Sequence, residues 1–205
     1  MHKKLLLGSA FGLLLGAAVL AQAAEMAEMK VVKPMRGTVD SVQADTLTFT
    51  SRSGQKQSIQ LTEKTALRAV SKAKLDDIAA NSFVGSAATP QPDGTLKALE
   101  VTVFEASLKG TGEGHYGWEN ADGSTGTMTN GTVGSLKQAN GRTLTVQYQG
   151  GEKQLVVPED VPIAYVEPGE RSQLMAGAKI VLFPAADGKS AAGIAVGKDG
   201  FTPPM

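Results

Sequence analysis

The chain has 205 residues, with 20 basic and 20 acidic side chains, 24 Gly and no Cys. The absence of Cys excludes disulfide scaffolds, thiolate zinc sites, iron–sulfur clusters, cysteine catalysis and a lipid anchor on a cleavage-site cysteine, and zero net charge argues against a polybasic nucleic-acid binder. Glycine is near 12% of the chain, against a usual value of about 7%, and points to turn-rich β structure.

The chain opens with Met1-His2-Lys3-Lys4, an apolar stretch from Leu5 to Leu20, and Ala21-Gln22-Ala23-Ala24. A basic start, an apolar centre and a small-x-small end form a signal peptide, residues 1–23, cut after Ala23. Cleavage after Ala24 would place Gln22 where a small residue is wanted. The 16-residue apolar stretch is short against the roughly 20 residues that span a bilayer, so no membrane span is expected after cleavage. Removal of Lys3 and Lys4 leaves 18 basic against 20 acidic residues, a charge of −2, and one histidine, His115. An exported protein without disulfides suits a bacterial periplasm. Residues 24–34, with Met26 and Met29, form a leader.

Beyond the leader the chain repeats itself with a period near 95. Arg36-Gly37-Thr38-Val39-Asp40-Ser41-Val42 matches Asn130-Gly131-Thr132-Val133-Gly134-Ser135-Leu136, and Thr46-Leu47-Thr48-Phe49 matches Thr143-Leu144-Thr145-Val146. Further matches join Ile59-Gln60-Leu61 to Leu155-Val156-Val157, Ile78 and Asn81 to Leu174 and Gly177, Asp93-Gly94 to Asp187-Gly188, and Leu99 and Val101 to Ile194 and Val196. Six matches in one order at nearly one offset indicate two copies of one domain.

Within each copy, Leu47 and Phe49, or Leu144 and Val146, alternate with Thr and Gln, the period of a half-buried strand. Ser53-Gly54, Asp93-Gly94, Asn140-Gly141, Gly150-Gly151 and Asp187-Gly188 mark turns. One short helix per copy is expected, at Ser71–Ala80 and Glu170–Ala176, ended by Asn81 and Gly177, residue types that tolerate the left-handed conformation. The expected fold class is all-β, two tandem small OB-like β-barrels of about five strands each. The expected bounds are 35–104 and 129–199, with a connector at 105–128 and a tail at 200–205. A sandwich of similar strand count is the alternative.

The stretches from Gly37 to Asp93-Gly94 and from Gly131 to Asp187-Gly188 resemble an exported bacterial OB-like domain family of unknown function. The shared pattern is a Gly-x-Val opening strand, a hairpin, a further strand, a short helix and two closing strands. The resemblance implies a fold and an exported location, and no activity.

The connector holds six glycines together with His115, Tyr116 and Trp118. Large aromatics are foreign to a plain linker. Tyr116 and Trp118 are expected either to fill a gap between the barrels or, with His115, to bind a ligand. Gly110-Thr111-Gly112-Glu113-Gly114 looks like a phosphate-cradling loop, but no helix can follow it to complete a dinucleotide fingerprint. The repeats also distantly resemble periplasmic copper and silver chaperones, in which a His, two Met and a Trp hold the ion. That resemblance implies copper on His115 and Met128, with Met26, Met29 and Met35 as further soft ligands. Ser53 and Lys56 have Ser-x-x-Lys spacing across a hairpin turn, and Asp76-Asp77 and Glu159-Asp160 are adjacent acids that do not face one another, so no catalytic set is indicated.

The sequence therefore suggests an exported, non-enzymatic binding or scaffold protein of the cell envelope. Its partner would be an envelope protein or a small ligand and not a nucleic acid, with copper binding as the alternative.

Overall fold

The computed structural model describes residues 29–138 and 142–205. The expected signal peptide, Met26 and the Asn140-Gly141 turn lie outside the described residues. Among the described residues no helix is long and apolar enough to cross a membrane.

The all-β class holds. From the N-terminus the strands are β1 (Val31–Val32), β2 (Met35–Gln43), β3 (Thr46–Ser51), β4 (Lys56–Gln60) and β5 (Ala66–Lys72). Next come β6 (Phe83–Pro90), β7 (Leu96–Ala98), β8 (Val101–Phe104), β9 (Gly114–Glu119) and β10 (Thr125–Gln138). The last five are β11 (Arg142–Tyr148), β12 (Gly151–Val157), β13 (Ile163–Pro168), β14 (Lys179–Pro184) and β15 (Ala191–Gly197).

The two expected helices are single 3-10 turns, Leu75–Asp77 and Arg171–Gln173. Ser71 and Lys72 are instead drawn into β5, where they pair with Tyr165 and Ala164. Asp77 and Gln173 each close their turn at once by accepting from the backbone N–H of Lys74 and Glu170. Asn81 and Gly177 do adopt the left-handed conformation, at φ 68° and 89°. Their N–H groups donate to Val133 and Val39 respectively, so each residue steers the chain onto a strand from the other half of the sequence.

Strand pairing is likewise non-local. Strands β6, β10, β11, β12 and β7 close into a five-strand barrel through the β10–β6 pairing. Its core includes Val84, Leu96, Val101, Val133, Leu144 and Leu155. A second group, β2, β3, β4, β14 and β15, surrounds Val39, Leu47, Phe49, Ile180, Leu182 and Ile194. An isolated parallel bridge from Gln60 to Ser190 brings the ends of that group together. The boundaries expected at 35–104 and 129–199 follow the chain, whereas the cores do not. Each core takes three strands from one stretch and closes them with strands from the other. Strands β5 and β13 carry the chain across, pairing antiparallel with Val70 opposite Val166.

The same pairings occur twice. Gly37 on β2 sits opposite Ile180, and Gly131 on β10 sits opposite Val84. A Cβ at either glycine would collide with the backbone carbonyl of Thr50 or Gln147. Both β2 and β10 then shift register, between Val39 and Ser41 and between Val133 and Ser135. One expected match moves. Ile194 lies opposite Leu67, and Val101 lies opposite Ile163, so Val101 and Val103 occupy the places of Ile194 and Val196, while Leu99 is 41% exposed.

The expected connector is part of the sheet. A 3-10 turn at Ala106–Leu108 leads into β9, which pairs with the first half of β10. The leader also contributes, since β1 lies parallel to β9. The expected tail turns inward, and Phe201 and Met205 join a third apolar cluster between the two cores with Val70, Val166, Trp118 and Met128.

Leu47 and Leu144 hold corresponding places in the two cores and both are fully buried. Each replaced by Ala is expected to cost about 3 kcal/mol and to lower one shared cooperative transition in thermal unfolding followed by circular dichroism. Two separable transitions would show that the cores are independent.

Candidate functional site

The third cluster lines a partly open cavity of about 230 Å³ beside the β5–β13 crossing. Strand alternation builds its walls. On β9, Tyr116 and Trp118 face inward; on β10, Met128 and Asn130 do the same. Arg68 and Val166 come from the crossing strands, Phe183 from β14, Ala195 from β15 and Met205 from the tail. Gly85 keeps this space open, because a Cβ there would collide with Oδ1 of Asn130. Thr111 and the exposed Gly112 complete the wall, and the Gly112 carbonyl accepts from Asn130 Nδ2 at 2.9 Å.

A local irregularity places an acid here. Ala98 lies opposite Ala88 and Thr102 opposite Gly85, so one more residue intervenes on the β7–β8 side than on β6. This β-bulge reverses the inward period. Leu96, Ala98, Val101 and Val103 all enter the barrel core, while Glu100, Thr102 and Phe104 face the cavity. Glu100 is 2% exposed. It accepts from the Ala87 N–H at 2.8 Å and the Thr102 hydroxyl at 2.9 Å. Burial disfavours the charged form more than those two bonds favour it, and its pKa is pushed up to about 7. Burial likewise pushes the Tyr116 phenol up to about 12, opposed by the bond from Asn130.

Two buried donors on the cavity-wall residues lack a partner among the described residues: Nε of Arg68 and Nε1 of Trp118. Trp118 is 2% exposed, with the Arg36 guanidinium 5.9 Å above its ring and Phe183 at 6.1 Å. Arg36 holds the surrounding segments together. Its Nε donates to the Met205 carbonyl and its Nη2 to the Glu119 carbonyl, both at 2.7 Å. Burial, then the nearby charge of Arg52, lowers the Arg36 pKa from its ordinary value.

The structure unites three of the four expected site residues. Tyr116, Trp118 and Met128 share the cavity; His115 does not line it. His115 is registered opposite Thr129, whereas Met128 is registered opposite Tyr116. Registered partners share a face and successive residues alternate, so His115 and Met128 lie on opposite faces of the hairpin. Nδ1 of His115 is 2.8 Å from the Thr129 hydroxyl, and its ring stacks on Tyr148. Met35 packs against the second core. Among the described residues no cluster of three His, Asp or Glu side chains could hold a metal. Glu100 and Arg68 escaped the sequence reading. Their one trace is a charged residue at an apparently alternating position of a strand, hidden for Glu100 by the bulge.

The chain matches no family model, no curated protein and no solved structure.

A carboxyl group whose pKa is higher in the folded state binds more protons when folded than when unfolded. The stability of the native chain should therefore fall between about pH 4.5 and about 7, by roughly 3 kcal/mol relative to Glu100→Gln, and level off above that range. Urea denaturation of both chains across this pH range measures the difference. In the same assay Trp118→Ala should cost about 3–5 kcal/mol.

Proposed function

We propose that this protein is an exported, non-enzymatic binding protein of the bacterial cell envelope, and that its ligand is a small, largely apolar molecule held in the central cavity. The observation that carries this reading is the cavity itself, a partly open apolar space furnished with a few polar groups: Glu100, Thr102, Asn130, Arg68 and the Tyr116 hydroxyl. Few, placed polar groups within apolar walls are the usual composition of small-molecule sites. An apolar cavity of about 150 Å³ accommodates benzene; by that scale about 230 Å³ suits a molecule of roughly nine non-hydrogen atoms.

Export rests on the N-terminal sequence, with its basic start, apolar centre and small-residue cleavage site. The architecture is read as two copies of one OB-like domain that have exchanged halves. The paired glycines, paired register shifts and paired left-handed residues support that reading. The exchange creates the cavity, because both stretches contribute to its wall. Binding in the cavity is preferred over copper on His115 and Met128 because those two side chains occupy opposite faces of one hairpin.

Residues 24–205 titrated with benzyl alcohol should show saturable one-to-one binding, read as a change in emission from the single tryptophan, Trp118. Ala195→Leu, which places a larger side chain in the cavity wall, should abolish the response while leaving the circular dichroism spectrum intact. A response unchanged by Ala195→Leu, or no response of the unaltered chain to benzyl alcohol, benzoate or benzylamine, would overturn the assignment.

A further inference from the structure

Resting on the cavity as a binding site, we infer that its ligand carries an anionic, hydrogen-bond-accepting head, a small aromatic or branched aliphatic carboxylate, read by Arg68 and Trp118. The donors and acceptors around the cavity do not balance. Both Glu100 oxygens are occupied, by the Ala87 N–H and the Thr102 hydroxyl. Asn130 Nδ2 donates to both the Gly112 carbonyl and the Tyr116 hydroxyl. The surplus lies with the donors, because Nε of Arg68 and Nε1 of Trp118 are buried on cavity-wall side chains without an acceptor. Buried donors are almost always paired, and an unpaired one costs the full desolvation of the group. Two on one cavity call for an occupant that brings acceptors.

The charge of the occupant follows from the same groups. The titratable side chains of the wall are Arg68, Glu100 and Tyr116. Arg68 is a guanidinium, the group whose geometry suits a carboxylate; its Nη1 is spent on the Leu67 carbonyl at 3.0 Å. Burial keeps Glu100 protonated below about pH 7, so at pH 6 it sets no net charge against an anion. Tyr116 stays neutral throughout. The remaining wall, Phe104, Phe183, Val166 and Met128, is apolar and suits a hydrocarbon body.

Three probes of one size and different heads test this at pH 6: benzoate, benzyl alcohol and benzylamine, each titrated into residues 24–205 by calorimetry. Benzoate is expected to bind at least about 10-fold tighter than either of the others, the worth of a hydrogen bond to a charged group. Arg68→Gln should remove that preference for benzoate. Trp118→Phe, which keeps the apolar ring and removes the N–H, should weaken benzoate selectively by about 5-fold or more. Equal binding of benzoate and benzyl alcohol, or preference for benzylamine, would overturn the anionic head while leaving the cavity a binding site. Failure of all three probes would overturn both. Comparison among the probes on the unaltered chain does not depend on either variant folding.

Discussion

The crossing of β5 and β13 is the constraint on which the remaining structure depends. At the Val70–Val166 pair each strand leaves the group of three strands that precedes it and enters the opposite core. Hydrogen bonding across this point is continuous: β13 pairs with β8 on its other side and β5 with β15. Neither core has a closed set of strands without this exchange. Coupling between the halves is thus built into the backbone ladders, and does not depend on a side-chain interface that could separate. Strands near the crossing bury both faces. On β14, Ile180 and Leu182 enter one core while Val181 enters the central cluster.

The cavity is lined by residues of both strand groups and of the β5–β13 crossing. Its two sides are unequal although the pairings around it correspond. Glu100 and Thr102 face it from one side; Gly193 and Ala195 hold the corresponding places on the other, given that Val101 and Val103 correspond to Ile194 and Val196. One side is polar and the other is small and apolar. Packing alone would have been served by two apolar sides, and a lone carboxyl in the interior works against stability.

Much of the fold was legible because it is written in local periodicity. The alternation of Leu47 and Phe49 with threonines, the turn glycines at 54, 94 and 188, and the left-handed Asn81 and Gly177 are each properties of a few neighbouring residues. Partner choice was not visible, because β2 finding β14 and β10 finding β6 depends on free-energy differences between strands of similar apolar alternation. Strands of like apolar pattern offer one another more than one acceptable partner. The same limit governs the site. Tyr116, Trp118 and Met128 were singled out for their residue types and do meet, whereas Glu100 was hidden by one extra residue at Leu99–Glu100 that inverts the apparent period. His115 was chosen as the single histidine outside the expected signal peptide, and scarcity says nothing about the face of the strand on which it falls.

The exchange of halves also sets the order in which the molecule can be completed. Thr38 must wait for Lys179, 141 residues further along, before its strand has a neighbour on that side. A chain delivered from its N-terminus therefore accumulates β2, β3 and β4 as an open three-strand sheet, its apolar face uncovered until β14 and β15 arrive. Pairings so distant in sequence are reached slowly, and uncovered strands are what holding chaperones recognise and what aggregates in their absence. Arg36 comes to rest against residue 205 only at the end of that process, so the cavity is among the last features to form, and its integrity reports on the whole chain.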